Sequence, residues 1–128
     1  MKNVLLHDQS ITYEAMDSIR DSIASNLDYL VIEITNELSD PPKPLPEYSL
    51  VICRPNPHNI NDMGSVLTLL DKKIPIIFTG FANIRTHVDS NLRTFAFTNG
   101  IEYLEMKIGK RTEEYTAAIC RYVKNSRI

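Results

Sequence analysis

Short apolar runs alternate along this chain with stretches in which apolar residues recur at helical spacing. Residues 4–7, 29–34, 50–53, 74–79 and 102–106 are brief, rich in Val, Ile, Leu or Tyr, and bounded by polar residues, Pro or Gly, which predicts five strands. Between them, Met16, Ile19, Ile23 and Leu27 fall on one face of a helix, and Met63, Val66, Leu67 and Leu70 on one face of another. Tyr115, Ala118, Ile119, Tyr122 and Val123 do the same near the C-terminus, where Thr112 is placed to cap the helix. Glu113 and Glu114 complement the dipole at its start, and Arg121, Lys124 and Arg127 lie toward its end. Ile84, Val88, Leu92, Phe95 and Phe97 carry a weaker periodicity over 82–99, which predicts a further helix.

Strands that are apolar on both faces and separated by helices form a parallel sheet covered on both sides. The pattern therefore predicts a single α/β domain spanning residues 1–128, a flavodoxin-like three-layer sandwich around a five-stranded parallel sheet. One crossover breaks the rule. Four of the seven prolines, Pro41, Pro42, Pro44 and Pro46, fall in 36–47, where a helix would join strands two and three. Proline cannot sustain interior helix hydrogen bonding, so the second helix is expected to be shortened or missing. The expected role of this stretch is a rigid connector rather than a docking site for a proline-recognising partner. In such a sheet the strands' carboxyl ends meet at a topological switch point where ligands gather, which directs attention to Asp8, to 54–57, to 79–81 and to Lys107.

Composition narrows the function. An apolar fraction of 43% in 128 residues supports a real core, and a net charge of -2 lacks the basic excess that nucleic acid or an anionic membrane would require. The N-terminal apolar run, Val4 to Leu6, is too short for a signal peptide, and no stretch is long enough to span a membrane, so a soluble cytoplasmic protein is expected. Cys53 and Cys120 match neither a metal spacing nor a disulfide framework and are expected to be buried thiols. His7, His58 and His87 have no ligand spacing, and Gly80 and Gly109 form no phosphate-cradling loop; neither metal nor cofactor is expected. His7 and Asp8, as strand neighbours, point to opposite faces, which argues against a catalytic pair.

Three motifs in order resemble the receiver domain of bacterial two-component response regulators. Val4-Leu5-Leu6-His7-Asp8-Gln9 resembles its first strand ending in an acidic pair. Ile74-Pro75-Ile76-Ile77-Phe78-Thr79-Gly80 resembles its fourth strand ending in a hydroxyl residue, and Asn99-Gly100-Ile101-Glu102-Tyr103-Leu104-Glu105-Met106-Lys107 resembles its strand carrying an aromatic and a lysine. Asp62-Met63-Gly64 is similar to the start of its third helix. The resemblance covers essentially the whole chain. It implies a site of two metal-holding acids, a phosphoacceptor aspartate, a hydroxyl and a lysine.

Here the first acid is Asp8, but the second position is Gln9, an uncharged and poorer ligand. The acceptor position falls on Arg54 by strand register or on Asn56 counted back from Gly64, and no carboxylate occurs between Glu47 and Asp62. The lysine position falls on Met106, with Lys107 one residue late and so on the opposite face. Only Asp8, Thr79 and Tyr103 fit without adjustment. A carboxylate attacks a phosphoryl donor only where cations neutralise the gathering charge, so aspartyl phosphorylation at this site is not expected. Arg54 is expected instead to reach Asp8 and lock one conformation, and Asp62 to start a helix rather than join the acid cluster.

The expectation is a non-enzymatic pseudo-receiver, a protein-interaction or adaptor module in bacterial signal transduction whose partner is another signalling protein or a second copy. The resemblance places its contact face on the helix before strand five, strand five itself and the C-terminal helix, and so on Arg85, His87, Arg93, Tyr103, Lys107, Arg111 and Tyr115. The alternative is a small flavodoxin-like enzyme or ligand-binding protein that uses the crevice beside Asp8, Thr79, Cys53 and Arg54. It would need an open pocket there.

Overall fold

A computed structural model describes residues 2–8, 11–27, 29–81, 86–107 and 109–126. Strands β1 (Lys2–Asp8), β2 (Leu30–Ile34), β3 (Leu50–Arg54), β4 (Ile76–Phe81) and β5 (Glu102–Met106) form one sheet in the order β2-β1-β3-β4-β5. All four neighbouring pairs are parallel. Helices α1 (Tyr13–Ala24), α2 (Ile60–Asp71), α3 (His87–Asn99) and α4 (Arg111–Ser126) connect or follow them. The architecture is the flavodoxin-like α/β sandwich that the strand and helix periods predict.

Strand alternation assigns the layers. Val4, Leu6, Leu50, Ile52 and Ile77 share a core with α1 and α4 through Met16, Ile19, Ile23, Ala118 and Ile119. Leu5, Val51, Cys53 and Phe78 face the other way, against Val66 and Leu69 of α2 and Leu92 and Ala96 of α3. Side chains as fully enclosed as Leu5, Leu6 and Ile52 contribute roughly 1.5–3 kcal/mol each.

Between β2 and β3 the helix is missing, as the prolines predict, and only a single 3-10 turn, Leu45–Glu47, remains. Leu38 and Tyr48 are buried at the two ends of this connection and plug the space a helix would have filled. The Tyr48 hydroxyl accepts from the Lys43 backbone N–H, and the Lys43 ammonium pairs with Glu33 of β2. The chain bends at Pro42 and Lys43, so the prolines do not present one continuous polyproline helix.

Several boundaries move. β4 begins two residues later than the apolar run and continues through Phe81: Ile74 closes the turn after α2 with its N–H on the Leu69 carbonyl, and Pro75, whose carbonyl accepts from Val51 N–H of β3, leads into the strand. α1 stops at Ala24, although Leu27 beyond it is still buried. α4 begins at Arg111, and the Lys110 carbonyl accepts from Glu114 N–H, so Thr112 lies inside the helix instead of capping it. Cys120 is exposed rather than buried, whereas Cys53 is fully enclosed.

Candidate functional site

The sheet order reverses between β1 and β3, so the carboxyl ends of β1, β3 and β4 form the switch point. β1 and β3 run in register up to Asp8 opposite Arg54, and by alternation both side chains leave toward the α1 and α4 layer. Arg54 does not stay there. Its Nη1 donates to the Thr79 carbonyl at 3.0 Å and to Asp89 Oδ1 at 2.6 Å, crossing the sheet end to the first turn of α3. The ion pair of Arg54 is therefore with Asp89, not with Asp8 as expected; Asp8 acts on it as a neighbouring negative charge.

Local sequence explains why Asp89 is there. Thr86 caps α3 by accepting from Asp89 N–H, and Asp89 Oδ2 accepts from the Thr86 N–H and hydroxyl, a reciprocal capping box. Its other oxygen, Oδ1, takes Arg54 and, at 3.2 Å, the Tyr103 hydroxyl. The Asp89 side chain is 1% exposed and that of Arg54 11%. Burial by itself would raise the Asp89 carboxyl, but hydrogen bonds from Arg54 and Thr86 outweigh it and hold the group below its ordinary value. Burial by itself would lower Arg54, but the bond to Asp89 outweighs it and keeps the guanidinium charged. Burial followed by the Asp89 charge raises Tyr103, which stays a neutral donor.

Room for this cluster comes from Gly80. A Cβ there would overlap the Tyr103 hydroxyl, stand 2.7 Å from Tyr103 Cζ and lie 3.1 Å from Asp89 Oδ1. Outside the cluster the Arg93 guanidinium sits 4.9 Å from the centre of the Tyr103 ring and bonds Glu105.

In the α1 and α4 layer lie Asp8, which is 5% exposed, Thr79 and Tyr115, the last two fully buried. The Thr79 and Tyr115 hydroxyls lie close together, though neither makes a hydrogen bond of good geometry. Burial, then the Asp8 charge, pushes the Tyr115 hydroxyl far above its ordinary range. Tyr115 is therefore a core residue and not part of a contact surface; the helical spacing that placed it on the apolar face of α4 already signalled this. Met106 is also fully buried, whereas Lys107 is exposed beyond the strand end, so the one-residue slip removes the lysine from the pocket.

The opposite layer holds His7, Cys53 and Asp62 together. Asp62 does lie in the first turn of α2, yet it is 3% exposed and also accepts from Asn56 N–H at 2.8 Å. Asn56, half-buried, accepts from His58 N–H, so this alternative acceptor position is engaged in loop structure. Burial, with Asp62 and Asp8 adding to it, drives the Cys53 thiol well above its usual range, which makes it inert.

Burial also lowers His7 below its ordinary 6.5, despite the Asp62 and Asp8 charges and the nearby Asn36 backbone. The folded protein keeps this imidazole neutral while the unfolded chain protonates it. Stability is expected to fall as pH drops through about 6.5, and the urea midpoint of His7→Leu to show a flatter dependence between about pH 7.5 and 5.5.

Gln9 and Arg85 lie outside the described residues. His87 is exposed at the start of α3, and the Arg111 guanidinium stands 4.5 Å from the centre of the Phe81 ring. A cleft of about 530 Å³ lies at the other end of the sheet, lined by Leu50, Ile77, Ile101, Arg121 and Tyr122, away from the switch point. Among the described residues no group of three or more His, Cys, Asp or Glu is placed to hold a metal ion, and no helix is long and apolar enough to cross a membrane.

Asp89 is the main residue the strand-end reading missed. Its signal was the Thr86-x-x-Asp89 spacing of a capping box ahead of an apolar-periodic stretch. No family model matches the chain, and no curated protein matches it. What defines the class is the geometry: a flavodoxin-like sandwich whose switch point is bridged by an internal Arg-Asp pair.

Proposed function

We propose that this chain is a receiver-like module that works without phosphorylation, binding another signalling protein or a second copy in the cytoplasm. The observation that carries the reading is the state of Arg54. At the strand end where a receiver resembling this chain would hold its acceptor aspartate, a cation stands, and its hydrogen bonds go to Asp89 and the Thr79 carbonyl. A permanent cation bonded from within cannot report a phosphoryl group by charge. It supports one fixed arrangement of α3 and β5.

The contact face proposed is α3, β5 and α4, with His87, Arg93, Tyr103, Lys107 and Arg111 as its basic and aromatic members. Neither nucleic acid nor membrane is proposed as a partner, since the net charge of -2 gives no long-range attraction to either.

The test is amide shift mapping on addition of Mg²⁺ and beryllofluoride. The expected spectrum shows no beryllofluoride-dependent change around Asp8, Thr79 and Tyr103. A saturable response there would restore the phosphorylated-receiver reading, and a small-molecule response confined to the crevice would favour the enzyme alternative.

A further inference from the structure

The outer face of α2 is unlike a solvent-facing helix surface. Its exposed positions are Ile60, Asn61, Gly64, Leu67, Thr68 and Asp71, and only the last carries a charge. Ile60 is 85% exposed and Leu67 56%. Helical spacing of 3.6 residues puts Ile60, Gly64, Leu67 and Asp71 in one stripe along the middle of that face. The Thr68 hydroxyl turns back onto the Gly64 carbonyl at 3.0 Å, which further reduces the polarity of the face.

Gly64 sits in the centre of this stripe with no use for its missing side chain inside the chain, because a Cβ there would meet nothing within 4 Å. Glycine in mid-helix is destabilising, since it loses more backbone entropy than alanine. At Gly80 a close neighbour explains the absent Cβ; at Gly64 nothing in the fold does. A glycine flanked by exposed apolar residues one turn away on each side is suited to close approach by another helix.

We infer that the approaching helix is α2 of a second copy of this chain, crossing antiparallel at Gly64 on a two-fold axis. Ile60 precedes Gly64 by one turn and Leu67 follows it by one, so a two-fold axis through Gly64 seats Ile60 of each copy on Leu67 of the other. The stripe can meet itself without like charges in opposition. Asp71 falls against the amino-terminal end of the other helix, where the dipole favours a negative charge, and the antiparallel dipoles attract. The contact is one helix wide, which makes the dimer weak and concentration-dependent. This face is separate from the α3, β5 and α4 surface and does not depend on that reading.

The test is sedimentation velocity from about 10 μM to about 1 mM, with amide shifts followed on dilution. The wild-type chain is expected to pass from monomer to dimer, with dilution shifts centred on 60–71. Gly64→Ala is expected to raise the melting temperature of dilute monomer by about 3 °C, as an exposed helical Gly→Ala should, while weakening the dimer. Gly64→Lys is expected to weaken dimerisation at least about tenfold, through its bulk and its like charge at the axis. Because nothing contacts Gly64, both variants should fold. A wild-type chain that stays monomeric throughout overturns the inference, as does a dimer that survives Gly64→Lys unchanged or dilution shifts that centre on β5.

Discussion

Asp89→Ala is expected to lower the unfolding free energy by about 3–5 kcal/mol, the largest single-site loss among the residues at the switch point. The cost arises on both sides of the broken pair. Removing the carboxylate leaves the Arg54 side chain, 11% exposed, without its ion-pair partner, with the Thr79 carbonyl as its remaining hydrogen bond and only the neighbouring Asp8 charge. It also removes the acceptor of the Tyr103 hydroxyl and half of the capping box that starts α3. A lost cap alone costs about 1 kcal/mol, so a drop no larger than that would show that Arg54 finds water and that the pair is unimportant. Arg54→Met, which removes the charge but keeps much of the apolar stem, is expected to cost less than Asp89→Ala, and the double variant less than the sum of the two. Chemical denaturation of the four proteins measures this coupling directly.

The same pair has a pH signature with a definite sign. Asp89 is held below its ordinary 3.8, so the folded state keeps the carboxylate ionised where the unfolded chain has begun to protonate. Its contribution is complete above about pH 4 and is lost as pH falls through the folded value. This window lies well below that of His7, which is a loss beginning near 6.5. Asp89→Asn should remove the lower transition and leave the upper one.

Gly80→Ala is the second large effect, because one added methyl group cannot coexist with Tyr103 in its place. The new Cβ would overlap the Tyr103 hydroxyl and stand 2.7 Å from Cζ, so the ring must swing outward. The expected cost is about 1–3 kcal/mol, from overpacking together with the lost bond to Asp89. Tyr103→Ala should suppress most of it, since the clash disappears with the ring; equal penalties of Gly80→Ala with and without the tyrosine would place the strain in the backbone instead. The ring movement is visible separately. Tyr103 moves away from Arg93, now 4.9 Å from its centre, and the ring proton shifts should approach those of an exposed tyrosine. If the α3, β5 and α4 face binds a partner, this variant should alter that affinity.

How much of this was legible beforehand differs between fold and site. Short apolar runs and helical periods carried the strand number, the parallel sheet and the two-sided core, because burial on both faces of a strand leaves a continuous run that polar segments cannot imitate. The prolines at 41, 42, 44 and 46 marked the missing helix for an equally local reason, since each removes a backbone donor. Boundaries were less clear. Ile74 is as apolar as a strand residue but belongs to the turn closing α2, where its N–H bonds the Leu69 carbonyl.

At the site, Asp8, Arg54 and Thr79 were legible as strand-end residues, and Met106 and Lys107 by their one-residue slip. The partner of Arg54 was not. Register places Asp8 directly beside it, and proximity along the sheet argued for that pair. A long guanidinium can instead cross the strand end, and which carboxylate it meets depends on where α3 begins.

By itself, then, the sequence determined the order of elements, the all-parallel sheet, the lost helix between β2 and β3, and the absence of a carboxylate at the end of β3. These follow from local propensities and from a periodicity that each segment carries alone. Tertiary structure decided that Arg54 pairs with a residue 35 positions away, that Tyr103 fits over a glycine, and that Tyr115 is core rather than surface. The physical reason is that buried charges and ring positions are settled by the separation of side chains across layers, and that separation exists only once both helices have docked on the sheet.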